Sequence, residues 1–182
     1  MISFQAQRYY PIKIQKKYFW GDFLDSKGCI AKLDSTSQKD LTALNKLKYQ
    51  WLGHFLINEF RDNFIKKIHN NDLHKNEDFF ILTEQTEDFE NLDEKQILGV
   101  MQINKTENKK EIKIKNLLVN PFTNFEADTR NYKQVGTQLI KFAKAYFAGS
   151  KILVNSERTA VPFYEKQGFK RTDNKTYNMK FE

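Results

Sequence analysis

The chain has 182 residues, with 30 Lys and Arg against 23 Asp and Glu for a formal net charge of +7, and 40% of it is hydrophobic. That is the length of one domain with enough apolar material for a core, which excludes a disordered chain. A lone cysteine, Cys29, excludes an internal disulfide and a cysteine-based zinc site, and no apolar run reaches the about 20 residues of a membrane span.

In chain order, residues 2–19 alternate loosely, as in Ile12-Lys13-Ile14-Gln15, and predict one or two strands. Residues 20–32 hold Gly21 and Gly28 and predict a turn region. Asp34-Ser35-Thr36-Ser37 is a run of helix N-cap types. After it Leu41, Leu44, Leu47, Trp51, Leu52, Phe55, Leu56, Phe60, Phe64, Ile65 and Ile68 recur at three- and four-residue spacing, predicting one long helix or two packed helices. From Asp78 the period changes. Strands are expected over 79–82, 97–103 and 111–119, the last two forming a hairpin, with an acidic loop over 84–94 between the first two. Val135, Leu139, Ile140, Phe142, Ala143 and Phe147 mark an amphipathic helix closed by Gly149. A buried strand over 151–154, a short helix over 160–167 and strands over 169–171 and 176–181 complete the chain. Helices followed by strands, then strand-helix-strand, predict a mixed α/β domain with one parallel crossover.

Two stretches carry chemistry. In Val161-Pro162-Phe163-Tyr164-Glu165-Lys166-Gln167-Gly168-Phe169 the residues give a short helix with a glycine stop and an aromatic entering a strand. The other is Leu117-Leu118-Val119-Asn120-Pro121, followed after a loop by Tyr132-Lys133-Gln134-Val135-Gly136-Thr137-Gln138-Leu139. Backbone N–H groups at a helix N-terminus cradle phosphate oxygens, the helix dipole favours their charge, and Gly136 lets a ligand come close.

The first string resembles the Phe-Tyr-Glu-Lys-x-Gly-Phe signature of the GCN5-related N-acetyltransferase (GNAT) family, with Ala160 fitting the same pattern. The second resembles that family's acetyl-CoA site: a strand ending Leu-x-Val-x-Pro, then a pyrophosphate loop, Arg/Gln-x-x-Gly-x-Gly/Ala, that opens a helix. Asn131 stands where Arg or Gln is usual and Gln134 where the first Gly is usual, and the loop over 122–130 is longer than the family's. The resemblance spans roughly residues 79–181. It implies a GNAT-like, mostly antiparallel mixed sheet with a central parallel strand pair, flanked by helices. It further implies one domain over 1–182: helices over 34–75 bordering the acceptor, an acetyl-CoA-binding core over 77–182, and an N-terminal extension, 1–33, that the family does not explain. Leu117, Leu118, Val119, Tyr132, Lys133, Gln134, Val135, Gly136, Thr137, Asn155 and Tyr164 are the implied cofactor residues.

The implied reaction is acetyl transfer from acetyl-CoA to a primary amine by direct attack. Tyr164 matches the tyrosine that protonates the CoA sulfur, and a backbone N–H near Val119 suits the thioester oxygen. Glu111, Glu157, His54 and Glu59 are the weighed general bases, with water as the alternative. The acceptor is a small-molecule or peptide amine, and the acidic loop suits a cationic one. His54, His69 and His74 lack metal-ligand spacing, so no metal is expected. Scattered Lys residues, interleaved with acids, read as a solvated surface rather than a nucleic-acid face or a membrane face. The single thiol and the absence of a signal-peptide core in the first ten residues suit a cytoplasmic protein. Two other readings stand beside this one: a non-catalytic acyl-CoA-binding or regulatory module on the same fold, and a nucleic-acid-associated protein. Oligomeric state is not readable.

Overall fold

The computed structural model describes residues 8–17, 22–51, 55–70, 74–85, 92–107, 110–121, 132–172 and 177–181. Its strands are β1 (Tyr9–Lys17), β2 (Phe23–Lys32), β3 (Glu77–Thr83), β4 (Ile97–Lys105), β5 (Glu111–Val119), β6 (Tyr132–Lys133), β7 (Lys151–Asn155), β8 (Lys170–Arg171) and β9 (Asn178–Phe181). Its helices are α1 (Gln38–Gln50), α2 (Phe55–His69), α3 (Val135–Tyr146) and α4 (Val161–Lys166). The strands form one sheet in the order β6-β1-β2-β3-β4-β5-β7-β9-β8. Every pairing is antiparallel except β5 with β7. The expected α/β class, a mostly antiparallel mixed sheet with one central parallel pair between helices, is therefore the observed one.

The apolar pattern places the helices. In β3, Phe79 and Ile81 join α1 and α2 in one core, whereas Phe80 and Leu82 join α3 in the other. Alternation in an extended chain sends neighbours to opposite faces, so a strand covered on both sides reads as a continuous apolar run. Trp51 and Phe64 sit at 1% and 0% exposure, as core residues. The side chain of Phe55 lies outside the description. Ser37 caps α1 by accepting from the Asp40 N–H, and Asp40 in turn pairs with Arg8. Gly168, at φ +83°, ends α4 in the left-handed conformation that L side chains resist.

The expectation of a turn region over 20–32 is overturned for residues 23–32, and residues 20–21 lie outside the described residues. Residues 23–32 form β2, paired along its length with β1 from Tyr9↔Ala31 to Lys17↔Phe23. Gly28 sits inside the strand because an added Cβ would lie 3.0 Å from Ile14 Cγ2 and 3.1 Å from the Thr83 carbonyl. The glycine thus marks a close approach, not a turn.

Candidate functional site

β5 and β7 pair only from Glu111↔Lys151 to Ile114↔Val154. β7 ends one residue later, while β5 runs on to Val119, so the sheet opens beyond Ile114. A β-bulge sharpens this. Gln102 pairs with Asn116 but Ile103 with Ile114, leaving Lys115 as the extra residue. Regular alternation would put Asn116 and Leu118 on the face of Ile112 and Ile114. The bulge moves Leu118 into the other core, beside α1 and α2.

The fork holds a cavity of about 700 Å³. Its walls include Leu117, Leu118 and Val119 of β5, Tyr132 to Thr137 of the segment entering α3, Asn155 at the end of β7, and Tyr164 of α4. Every residue named above as a candidate cofactor ligand therefore borders one space. Asn120 N–H donates to the Leu98 carbonyl at 2.8 Å, toward β4. Ladder alternation then turns the N–H groups of Val119 and Leu117 to the opposite side, where β7 has ended.

The segment over 132–135 is held from two directions. β6 pairs with β1 through Gln15↔Lys133 and Lys16↔Tyr132. Glu84 Oε2 accepts from Lys16 Nζ at 2.8 Å and from the Tyr132 hydroxyl at 2.6 Å. Burial and the Glu84 bond push the Tyr132 hydroxyl up to about 12. Lys133 Nζ rests 3.8 Å from the Phe23 ring centroid, and Gln134 Nε2 donates to Gln15 Oε1 at 3.1 Å. Gln134 has φ 62°, and no other non-glycine among the described residues has positive φ. It occupies the position where the motif ordinarily has glycine, and the backbone there needs the left-handed region that glycine enters freely. The side-chain bond to Gln15, the β6 pairing just before it and the start of α3 just after it hold it in that conformation. At Gly136 a Cβ would meet Phe163 Cζ at 3.2 Å, so α4 packs directly on the first turn of α3.

Tyr164 is 6% exposed, with its ring edge-to-face against Phe163 and Phe169 at 5.0 and 5.5 Å. Burial alone pushes its hydroxyl up to about 12, so it is a protonated phenol at every physiological pH. Among the described residues that hydroxyl has no hydrogen-bond partner.

The structure sorts the weighed bases. Glu157 lines the cavity and is exposed. Glu111 stands at the far end of β5, paired with Lys151 at 3.2 Å. Glu59 is exposed and outside the cavity wall. His54, Asn131 and the loop over 122–130 lie outside the described residues. Of the acidic loop, residues 86–91 are also outside them, and Glu84 is committed to Lys16 and Tyr132. Residues that the sequence reading passed over also line the space, among them Leu56 of α2, Lys115, Asn116, Ser156 and Phe163. Asn116 was detectable only as a polar residue among the apolar positions of β5, and the bulge decides which face it takes.

A family model for the acetyltransferase (GNAT) domain matches residues 56–181. No curated protein matches the chain. Among solved structures, the PaiA N-acetyltransferase from Thermoplasma acidophilum with coenzyme A is 17% identical, with a TM-score of 0.53 over 84% of this chain and 96% of its own. AtaTR bound with acetyl-CoA is 17% identical, with a TM-score of 0.56 over 85% and 92%. Tetrahymena GCN5 is 13% identical, with a TM-score of 0.52 over 81% and 91%. At these identities the likeness is one of fold.

Proposed function

The chain belongs to the GNAT acetyltransferase family, and from that premise we propose that it is an N-acetyltransferase moving an acetyl group from acetyl-CoA to a primary amine by direct attack. The observation that carries the reading is the one cavity at the β5–β7 fork, bordered together by residues 117–119, 132–137, Asn155 and Tyr164. These residues fit coenzyme A. The first-turn N–H groups of α3 lack helical partners and suit the pyrophosphate, and the missing side chain at Gly136 lets Phe163 of α4 pack beside them. Leu117 to Val119 on one side and Asn155 on the other suit the pantetheine arm. Fold relatives with coenzyme A or acetyl-CoA bound support the same cofactor.

Bound acetyl-CoA supplies the thioester. In this reading the Val119 N–H, turned into the fork, receives the carbonyl oxygen as negative charge develops on it. The Tyr164 hydroxyl donates its proton to the departing sulfur. Water carries the amine's proton to solvent and returns a proton to Tyr164, which closes the cycle. Residues 34–75 border the acceptor and 77–182 hold the cofactor within one domain, a division supported by Leu56 of α2 on the cavity wall. The acceptor is a small-molecule or peptide amine. A cytoplasmic setting belongs to the same proposal, supported by the single cysteine, Cys29, which can form no internal disulfide.

Calorimetry with coenzyme A, and thiol release from acetyl-CoA with spermidine, methionine methyl ester and a lysine-bearing peptide, test the reading. Binding with amine-dependent thiol release is expected. No binding at millimolar coenzyme A removes it. Binding with no thiol release from any amine favours a non-catalytic acyl-CoA-binding module.

A further inference from the structure

Part of the polar wall of the cavity has no role in the acetyl transfer. Asn116 of β5 is 8% exposed and lines the wall on the α2 side. Its Nδ2 donates to Gln102 Oε1 at 2.8 Å, and Asn63 Nδ2 of α2 donates to the same oxygen at 3.1 Å. Gln102, fully buried in β4, donates through Nε2 to Glu77 Oε2 at 3.2 Å. Lys115 Nζ lies 3.1 Å from Glu77 Oε1, and His74 Nδ1 lies 3.4 Å from Oε2.

The polarity of this chain is dictated from its charged end. Glu77 faces the Lys115 ammonium through one carboxylate oxygen and accepts from Gln102 through the other. Gln102 must therefore turn its NH₂ to Glu77 and its oxygen away. That oxygen accepts, so Asn116 must turn its own NH₂ to Gln102. Asn116 Oδ1 is thereby directed away from Gln102. Among the described residues no donor meets this oxygen, and it is not among the fully buried atoms lacking a partner. An acceptor that borders the cavity without a protein partner is one that a ligand N–H can use.

We propose that Asn116 determines acceptor specificity: its Oδ1 accepts a hydrogen bond from the N–H of the incoming amine, with Gln102 and Glu77 as positioning residues that fix the amide's orientation. A neutral primary amine has two N–H donors. It gives one to Oδ1 and keeps its lone pair free for the thioester. Lys115 and Glu77 neutralise each other beside this point, so the site takes the uncharged nucleophile. The proposal rests on the acetyltransferase reading, and the test separates the two.

Asn116→Leu keeps the branched side-chain shape while removing both polar atoms, and Gln102 Oε1 keeps Asn63 as donor. With an amine that the wild type acetylates, the expected result is a rise in the amine KM of roughly tenfold, the scale of one neutral hydrogen bond. The Kd for coenzyme A stays unchanged and also reports folding. Glu77→Gln releases the amide orientation and raises the amine KM as well. The double variant is no worse than Asn116→Leu alone, because both changes act through one oxygen. If Asn116→Leu fails to bind coenzyme A, Asn116→Ser carries the same expectation. An unchanged amine KM, or additive effects in the double variant, overturns the assignment. A wild type that binds coenzyme A but acetylates no amine overturns the acetyltransferase reading and this assignment with it.

Discussion

Tyr164 shows how one side chain takes its chemistry from its surroundings. Ring contacts to Phe163 and Phe169 hold it, and desolvation keeps its proton on. Tyr164→Phe retains the ring and removes only the donor. Under the proposed mechanism kcat falls by roughly 10²–10⁴-fold, the range for a general acid, while the coenzyme A Kd changes little. Near-normal turnover in that variant would strike Tyr164 from the mechanism without touching the family. The pH profile gives an independent readout. An acid with a pKa pushed up to about 12 stays protonated through the alkaline range, so kcat should rise as the amine deprotonates and show no falling limb between pH 7 and 10. The same shift affects stability. A phenol that ionises near its ordinary value when unfolded, but higher when folded, leaves stability unchanged below pH 10. Stability is then lost as pH rises from 10 toward 12, measurable by denaturant titration.

At the scale of elements, two contacts separate stability from cofactor binding. Phe79 of β3 stands edge-to-face between Phe60 and Phe64 of α2, at 5.3 and 5.2 Å, and is 1% exposed. Phe79→Ala leaves a cavity where α2 docks on the sheet and should cost about 3–5 kcal/mol in denaturant unfolding. The coenzyme A Kd should hold, since Phe79 itself is not on the cavity wall. The pairing of β6 with β1 works the other way. Glu84 joins Lys16 of β1 to Tyr132 of β6, and both bonds bear on the segment that opens α3. Glu84→Gln and Tyr132→Phe remove this tie without opening the core. Each is expected to weaken coenzyme A binding several-fold by calorimetry while leaving the melting temperature within a few degrees. An unchanged Kd in both would mean that the β6–β1 backbone pairing suffices to set the loop.

For the whole molecule, the N-terminal strands belong to the same sheet as the site. Tyr10 and Ile14 of β1 are 5% and 1% exposed and lie in the core shared with α3. Tyr10 packs on Phe142 and Tyr146 at 5.0 and 5.6 Å. Ile14→Ala should cost about 2–5 kcal/mol, as buried large-to-small changes do. Unlike Phe79→Ala, it should also weaken coenzyme A binding, because β1 is the strand that carries β6. A chain in which Ile14→Ala lowers stability alone would uncouple the first strand from the site.

Much of this architecture is local and so was legible in the residues. Helix periodicity, the N-cap Ser37, the glycine stop at Gly168 and the apolar runs of β3, β4 and β5 each depend on a few neighbouring side chains. The motif residues 117–119, 132–137 and Tyr164 were named from the resemblance to a family pattern rather than from local propensity, and they border one cavity. Three features were not legible, and each depends on partners far along the chain. Residues 23–32 become a strand because β1 pairs with Phe23 to Ala31 and β3 adds a second partner from Cys29 to Lys32, against the local turn signal of Gly28. Gln134 enters the left-handed region between the β6 pairing and Gln15, 119 residues away. The bulge at Lys115 reverses the faces of Asn116 and Leu118, and only the ladder with β4 reveals it. Local sequence determined which elements form, because their propensities and caps are short-range. The tertiary structure decided which polar groups face the fork, because strand register and amide polarity are set by contacts between distant segments.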